Sequence, residues 1–252
     1  VDPEPEVPTL EGEGTVDAIV EALHGEMVAT TVSDPLSRPI QARYGIAGAT
    51  AIIEMAAASG LPLLRPEERN PWLTSTHGTG EMIMDAIQKG CRQFLVGIGG
   101  SATNDAGTGM LQAMGCRFYD ANDKEILHCC GGTMQDIVRI DDSNVPDSVR
   151  QSTFTIACDV DTPFCGSEGA APVFAPQKGA DATMVQQLDA GMVSLAKVIE
   201  DKYRINIVPI AGAGAAGGMG GAFCAFLHAT LKRGIDMVLD AIDFNAIIQG
   251  AN

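Results

Sequence analysis

The stretch Gly97–Gly109 holds five glycines, with Ser101, Thr103, Asn104, Asp105 and Thr108 between them. A turn needs one or two glycines; a loop this rich in both glycine and polar side chains suits close approach of backbone to a ligand. It follows the apolar run Phe94–Val96 and precedes a helical stretch near Thr108–Met114. Backbone N–H groups and a helix N-terminus then converge where an anion can sit. Gly99, Gly100, Ser101, Thr103, Asn104, Gly107 and Thr108 are therefore candidate substrate- or nucleotide-binding residues, and Asp105 is a candidate catalytic carboxylate or metal ligand. The string lacks the Gly-Lys-Ser/Thr ending of a P-loop. Gly97, Gly99 and Ala102 formally fit a dinucleotide fingerprint, with Asp120 about 20 residues on. In that fold, however, the helix begins by the third position, whereas here the polar loop runs on to Gly109.

Three further strings carry candidate chemistry. Six glycines lie within Ala211–Gly221, among them Gly214, Gly217 and Gly218; such a run permits close approach either to a phosphate or to a neighbouring helix. Asp159 ends the apolar run Phe154–Cys158, and carboxylates at the carboxyl ends of buried strands stand where open α/β sheets place ligands. It is a candidate Mg²⁺ ligand or acceptor of a hydroxyl proton, with a helix-cap or turn role as the plain alternative. Lys178, one of six lysines, is a candidate for neutralising phosphate. In Thr74–Glu81, Thr79 and His77 stand at the start of a helical stretch, where a hydroxyl either caps the helix or meets a ligand.

The elements that must position these residues alternate. Val16, Ile19, Val20 and Leu23 fall at helical spacing, with Gly25 placed to stop that helix. Strands are expected over Met27–Val32, Gln41–Ile46 (a possible edge), Ala51–Met55, Phe94–Val96, Phe154–Cys158 and Ile207–Ile210. Helices are expected over Glu81–Gln88, Thr108–Met114, Asp181–Lys202 and Ala222–Leu231. Strand, Gly-rich joint and helix in succession predict an α/β fold: a mainly parallel sheet with helices on both faces. Residues 1–14, acidic and proline-rich, read as an extended arm, and residues 15–252 as the α/β domain.

Composition narrows the function classes. With 32 acidic and 16 basic residues the net charge is −16, so the basic footprint of a nucleic-acid binder is missing. An anionic substrate then needs a locally favourable pocket, because the overall field opposes it. No apolar run reaches the roughly 18 residues of a membrane span. Seven cysteines form no Cys-x-x-Cys pair, which predicts reduced, mostly buried thiols in a reducing compartment. That compartment is expected to be the cytoplasm, or an organelle matrix after removal of a targeting segment.

Taken in order, Glu13–Asp17, Ile53–Leu61, Gly78–Glu81, Gly97–Gly109, Ala157–Val160, Phe174–Gly179 and Gly212–Gly221 resemble the bacterial glycerate kinase family, which has no P-loop. The resemblance implies ATP-dependent phosphorylation of D-glycerate to 2-phosphoglycerate with Mg²⁺. In such a transfer the chemistry of the residues themselves makes Asp105, Asp159 and Lys178 the candidate catalytic residues, with Asp105 or Asp159 serving the metal or acting as base. Members of the family are longer, so the chain reads as truncated at both ends: the inserted domain of a two-domain kinase plus short stubs of the other. The family's Ala-Asp-Gly-Gly-Glu-Gly-Thr stands here as Leu10–Thr15 with a glycine lost, and with one residue deleted Glu11 falls in the Asp slot. Two expectations follow, a working glycerate kinase or a shortened, inactive homologue acting as a structural or binding subunit. The face left by a missing domain would then be a site for homo-oligomerisation or for a larger assembly.

Overall fold

The computed structural model describes residues 15–241; the acidic arm expected over residues 1–14 lies outside them, as do Glu11 and Glu13. Eight strands are present among the described residues: β1 (Glu26–Ser33), β2 (Pro39–Ala47), β3 (Thr50–Glu54), β4 (Gln93–Gly97), β5 (Arg117–Tyr119), β6 (Arg139–Asp141), β7 (Thr153–Ala157) and β8 (Thr230–Lys232). The helices are α1 (Thr15–Ala22), α2 (Ala56–Ser59), α3 (His77–Gln88), α4 (Thr108–Ala113), α5 (Asp147–Arg150), α6 (Ala170–Phe174), α7 (Ala182–Tyr203), α8 (Ala215–Leu227) and α9 (Gly234–Ala241). Six strands form one sheet in the order β1-β2-β3-β4-β7-β8, and β5 with β6 forms a small separate ribbon. β2 alone runs against its two neighbours, while β3, β4, β7 and β8 pair in parallel. The sheet is thus mainly parallel, and its carboxyl edge is shared by β3, β4 and β7.

Alternation along the central strands divides the core between two faces. Phe94 of β4 stacks on Phe154 of β7 with ring centroids 4.7 Å apart, and Phe154 meets Phe223 of α8 at 5.9 Å. Ala51, Ile53 and Val96 join the same cluster, against Met82, Ile83 and Ala86 of α3 and Met110 of α4. On the opposite face Ile52 packs under Val16, Ile19 and Val20 of α1, and the buried Met237 belongs to α9, which packs on β7. Helices therefore cover both faces. α7 lies farther out, its Leu188, Met192 and Leu195 stripe buried, and the Asp181 side chain caps it by accepting from the Met184 N–H at 2.8 Å.

Several sequence expectations shift. The edge strand is β1, and β2 lies inside the sheet. Ile207–Ile210 forms turns instead of a strand, and α8 begins before Ala222 and ends at Leu227, which frees Leu231 for β8. His24, at φ 53°, provides the left-handed residue after α1. Gly25 is needed for a different reason: a Cβ there would overlap the Ile46 carbonyl oxygen.

Candidate functional site

A cavity of about 350 Å³ opens at the carboxyl ends of β4 and β7. Its walls are the backbone Gly97–Ser101 leaving β4, Cys158–Val160 leaving β7, Leu61 from the turn after α2, Phe174 and Gln177, and Ala215–Ala216 at the start of α8. A crevice outside the carboxyl ends of adjacent parallel strands is where α/β sheets hold ligands, because the chain leaves each strand there in a loop. Two registered pairs, Val96 with Ile156 and Gly97 with Ala157, bring the two loops side by side.

The Gly97–Gly109 loop has two functional halves. Its first, Gly97–Ser101, faces the cavity. The Gly60–Ser101 bridge anchors it: the Leu61 N–H donates to the Gly100 carbonyl at 2.8 Å and the Ala102 N–H to the Ser59 carbonyl at 2.9 Å. Among the described residues no backbone carbonyl takes the N–H of Gly99 or Gly100. The second half turns into the protein. Thr103, Asn104, Asp105 and Thr108 are all buried and do not line the cavity.

Asp105 explains this inward turn. Its Oδ2 accepts from the Thr76 N–H and the Thr76 hydroxyl, each at 2.8 Å, and from the Gly109 N–H at 3.2 Å. Its Oδ1 accepts from the Gly107 N–H at 3.1 Å. The N-terminal amides of α4, expected to meet a ligand, thus meet the protein's own carboxylate. Burial pushes the Asp105 carboxyl upward, opposed by the donors from Thr76, Gly109 and Gly107. With its oxygens engaged in this way, Asp105 is removed from the cavity as a metal ligand. The Thr108 hydroxyl donates to the Asp105 carbonyl at 2.8 Å, and Thr79 pairs with Ser59 at 2.8 Å in the core; both are spent on structure. The Asn104 amide reaches the Met192 sulfur at 3.4 Å, while Asn104 Oδ1 and Thr103 Oγ1 are buried without a protein partner among the described residues.

Lys178 is also moved from its expected place. It is 1% exposed and lies under the loop, its Nζ donating to Ser101 Oγ and to the Thr103 carbonyl at 2.6 Å each. Burial lowers its pKa to about 7, with the Asp105 charge acting in the opposite direction. Its exposed neighbour Gln177 presents an amide to the cavity instead. Asp159, by contrast, is exposed and lines the cavity. It also serves the turn role weighed above, since Oδ1 accepts from the Gly234 N–H at the start of α9 at 2.9 Å.

The glycine run that opens α8 packs against the loop itself. Ala216, Gly217 and Gly218 have φ of 52°, 68° and 94°, so regular helix begins at about Met219. A Cβ on Gly217 would overlap the Thr103 carbonyl oxygen, and the Gly217 carbonyl accepts from the Ala106 N–H at 3.0 Å. Gly217 and Gly218 therefore lock the two loops together, and neither they nor Gly214 lines the cavity. Leu61, Phe174, Gln177 and Ala216 were not singled out from sequence. Ala216 is a non-glycine residue held at positive φ, which nothing in its side chain announces.

The donor set fits one metal arrangement and not another. Among the described residues, no group of three or more His, Cys, Asp and Glu side chains converges, so an all-protein cage is absent there. Mg²⁺ bound through one carboxylate plus substrate phosphates needs only Asp159. The dinucleotide alternative fails on geometry, because α4 starts at Thr108, well beyond Ala102.

The model of the glycerate kinase family matches residues 7–252. The chain is 45% identical over 243 residues to the glycerate kinase of Halalkalibacterium halodurans, covering 96% of this chain and 64% of that protein. It is 44% identical over 234 residues to the glycerate 2-kinase of Escherichia coli, covering 92% of this chain and 61% of that one. A crystal structure assigned to glycerate kinase 2 of Salmonella typhimurium LT2 superposes with a TM-score of 0.90 at 44% identity, over 94% of this chain and 63% of that chain.

Proposed function

The chain belongs to the glycerate kinase family, and from that premise we propose that it carries out ATP-dependent phosphorylation of D-glycerate to 2-phosphoglycerate. The observation that carries this reading is the cavity at the carboxyl ends of β4 and β7, which sets a glycine backbone opposite an exposed carboxylate. Phosphoryl transfer needs little covalent help from the protein; it needs in-line positioning and stabilisation of charge on phosphate oxygens. Among the described residues no Lys or Arg side chain lines the cavity. The Gly99 and Gly100 backbone N–H groups and the Ser101 hydroxyl are then the donors for anionic oxygens, of a phosphate or of the glycerate carboxylate.

Asp159 has two uses at this site. It would hold Mg²⁺, which when bound neutralises developing charge on the phosphates. It would also orient the attacking hydroxyl. Asp105 supports the site from behind, shaping the loop, and Lys178 fixes its underside. Seven free thiols suit a reducing compartment, for which we propose the cytoplasm. Among the described residues no helix is long and apolar enough to cross a membrane.

The product distinguishes this reading from neighbouring ones. Phosphorus NMR of a reaction containing ATP, Mg²⁺ and D-glycerate should show 2-phosphoglycerate accumulating; 3-phosphoglycerate instead would overturn the assignment of the hydroxyl, and no phosphoglycerate would overturn the activity.

A further inference from the structure

The buried ammonium of Lys178 sits against a residue that lines the cavity. Ser101 is 7% exposed, and its backbone is pinned by the bridge to Gly60. Its Oγ has one proton to donate and lone pairs to accept with. Lys178 has N–H groups only to give in its charged state, and its Nζ gives one to Ser101 Oγ and one to the Thr103 carbonyl, both at 2.6 Å. Among the described residues no group accepts the Ser101 proton; Lys178 is the side chain's partner there.

We propose that Lys178 is a positioning residue for Ser101: by donating to Oγ from beneath the loop, it directs the Ser101 O–H into the cavity as a donor to an anionic oxygen of the bound substrate. The inference rests on the kinase reading and deepens it. The anionic oxygen belongs either to the carboxylate of glycerate or to a nucleotide phosphate, which share the same acceptor chemistry. Lys178 itself touches neither, because the loop covers it.

The arrangement has a physical logic. A serine hydroxyl rotates freely and, left alone, satisfies itself on the nearest carbonyl. Lys178 Nζ donates to the Ser101 Oγ and to the Thr103 carbonyl at once, which holds it in place beneath the loop. With a lone pair of Oγ engaged from beneath by this donor, the Ser101 proton is left to point away from Lys178. A hydrogen bond to a charged group made this way contributes roughly 10- to 100-fold in affinity.

The test is a double-mutant cycle with Ser101→Ala, Lys178→Met and the double variant, measuring kcat and KM with ATP and D-glycerate varied in turn. Both single variants should raise the KM of the same substrate by roughly 10- to 100-fold, and the substrate affected identifies the oxygen. The double variant should be no worse than the poorer single one, and Lys178→Gln, which keeps N–H donors, should recover part of the loss. Additive losses, or effects on different substrates, would overturn the proposal. If Lys178→Met fails to melt cooperatively, Lys178→Gln completes the cycle with Ser101→Ala. Calorimetric titration of the wild type with ATP, D-glycerate and inorganic phosphate separates the two claims. Binding without turnover would sink the kinase reading alone and leave the cycle to be scored on dissociation constants. Absence of binding by all three probes would overturn the positioning role as well.

Discussion

Thr76 donates both its backbone N–H and its hydroxyl to one oxygen of Asp105, each at 2.8 Å. The pair joins the start of α3 to the start of α4, and the Thr76 hydroxyl in turn accepts from the Met110 N–H at 2.9 Å. This contact holds the second half of the Gly97–Gly109 loop inside the protein and leaves the first half to form the cavity wall.

Asp105→Asn should therefore act on stability before it acts on binding. The amide NH₂ would face donors from Thr76, Gly107 or Gly109, leaving buried groups unpaired. We expect a loss of about 1–3 kcal/mol or more, read as a lower midpoint in chemical denaturation. Unchanged stability with weakened Mg-nucleotide binding would return Asp105 to the cavity.

Asp159→Asn should do the reverse. The exposed side chain keeps an acceptor for the Gly234 N–H, so stability should change by less than about 0.5 kcal/mol. Loss of the charge should lower kcat by roughly 100-fold or more, with a weaker response to added Mg²⁺. Equal kcat in the two proteins would remove Asp159 from the mechanism.

Gly217→Ala tests the packing of the two glycine loops. The residue has φ 68°, and its Cβ would overlap the Thr103 carbonyl oxygen. The loop must shift, at a cost of about 1–3 kcal/mol, and the KM of the substrate bound at Gly99–Ser101 should rise along with it. A variant with wild-type melting and kinetics would show that the loops are not coupled.

Lys178 should leave a signature in the pH dependence of stability. Its folded pKa of about 7 lies below the ordinary value of 10.5, so between these values the unfolded chain holds the proton more tightly than the folded one. Stability from this group then rises with pH across that window, and each unit of separation is worth about 1.4 kcal/mol. Lys178→Met removes the effect. The wild type should gain stability relative to the variant from about pH 7 towards about pH 10, followed by urea denaturation at each pH; parallel curves would contradict the burial of a titrating amine.

Much of the architecture was legible because it follows from periodicity. The stripe Leu188, Met192 and Leu195 marked α7, and the apolar runs around Phe94 and Phe154 marked the paired strands β4 and β7. Short elements such as β5, β6 and β8 are too brief to carry a period. Ile207–Ile210 has the composition of a strand but finds no partner in the sheet. At the site, residue type located the loop but not the direction of its side chains. Gln177 and Lys178 are adjacent, yet the amide faces the cavity while the ammonium is buried, because the turn at Pro176–Lys178 carries the lysine under the loop. Nor does sequence distinguish a carboxylate that lines the cavity, such as Asp159, from one turned inward onto the backbone of its own loop, such as Asp105.

The proposed activity of this member of the glycerate kinase family is transfer of phosphate from ATP to D-glycerate at the carboxyl ends of β4 and β7. The direct measurement is ADP release by the purified chain with Mg-ATP, with and without D-glycerate, alongside Asp159→Asn. The account predicts ADP release that depends on D-glycerate and Mg²⁺ and falls roughly 100-fold or more in the variant. Release indifferent to D-glycerate, or no release from a folded wild-type chain, would contradict it.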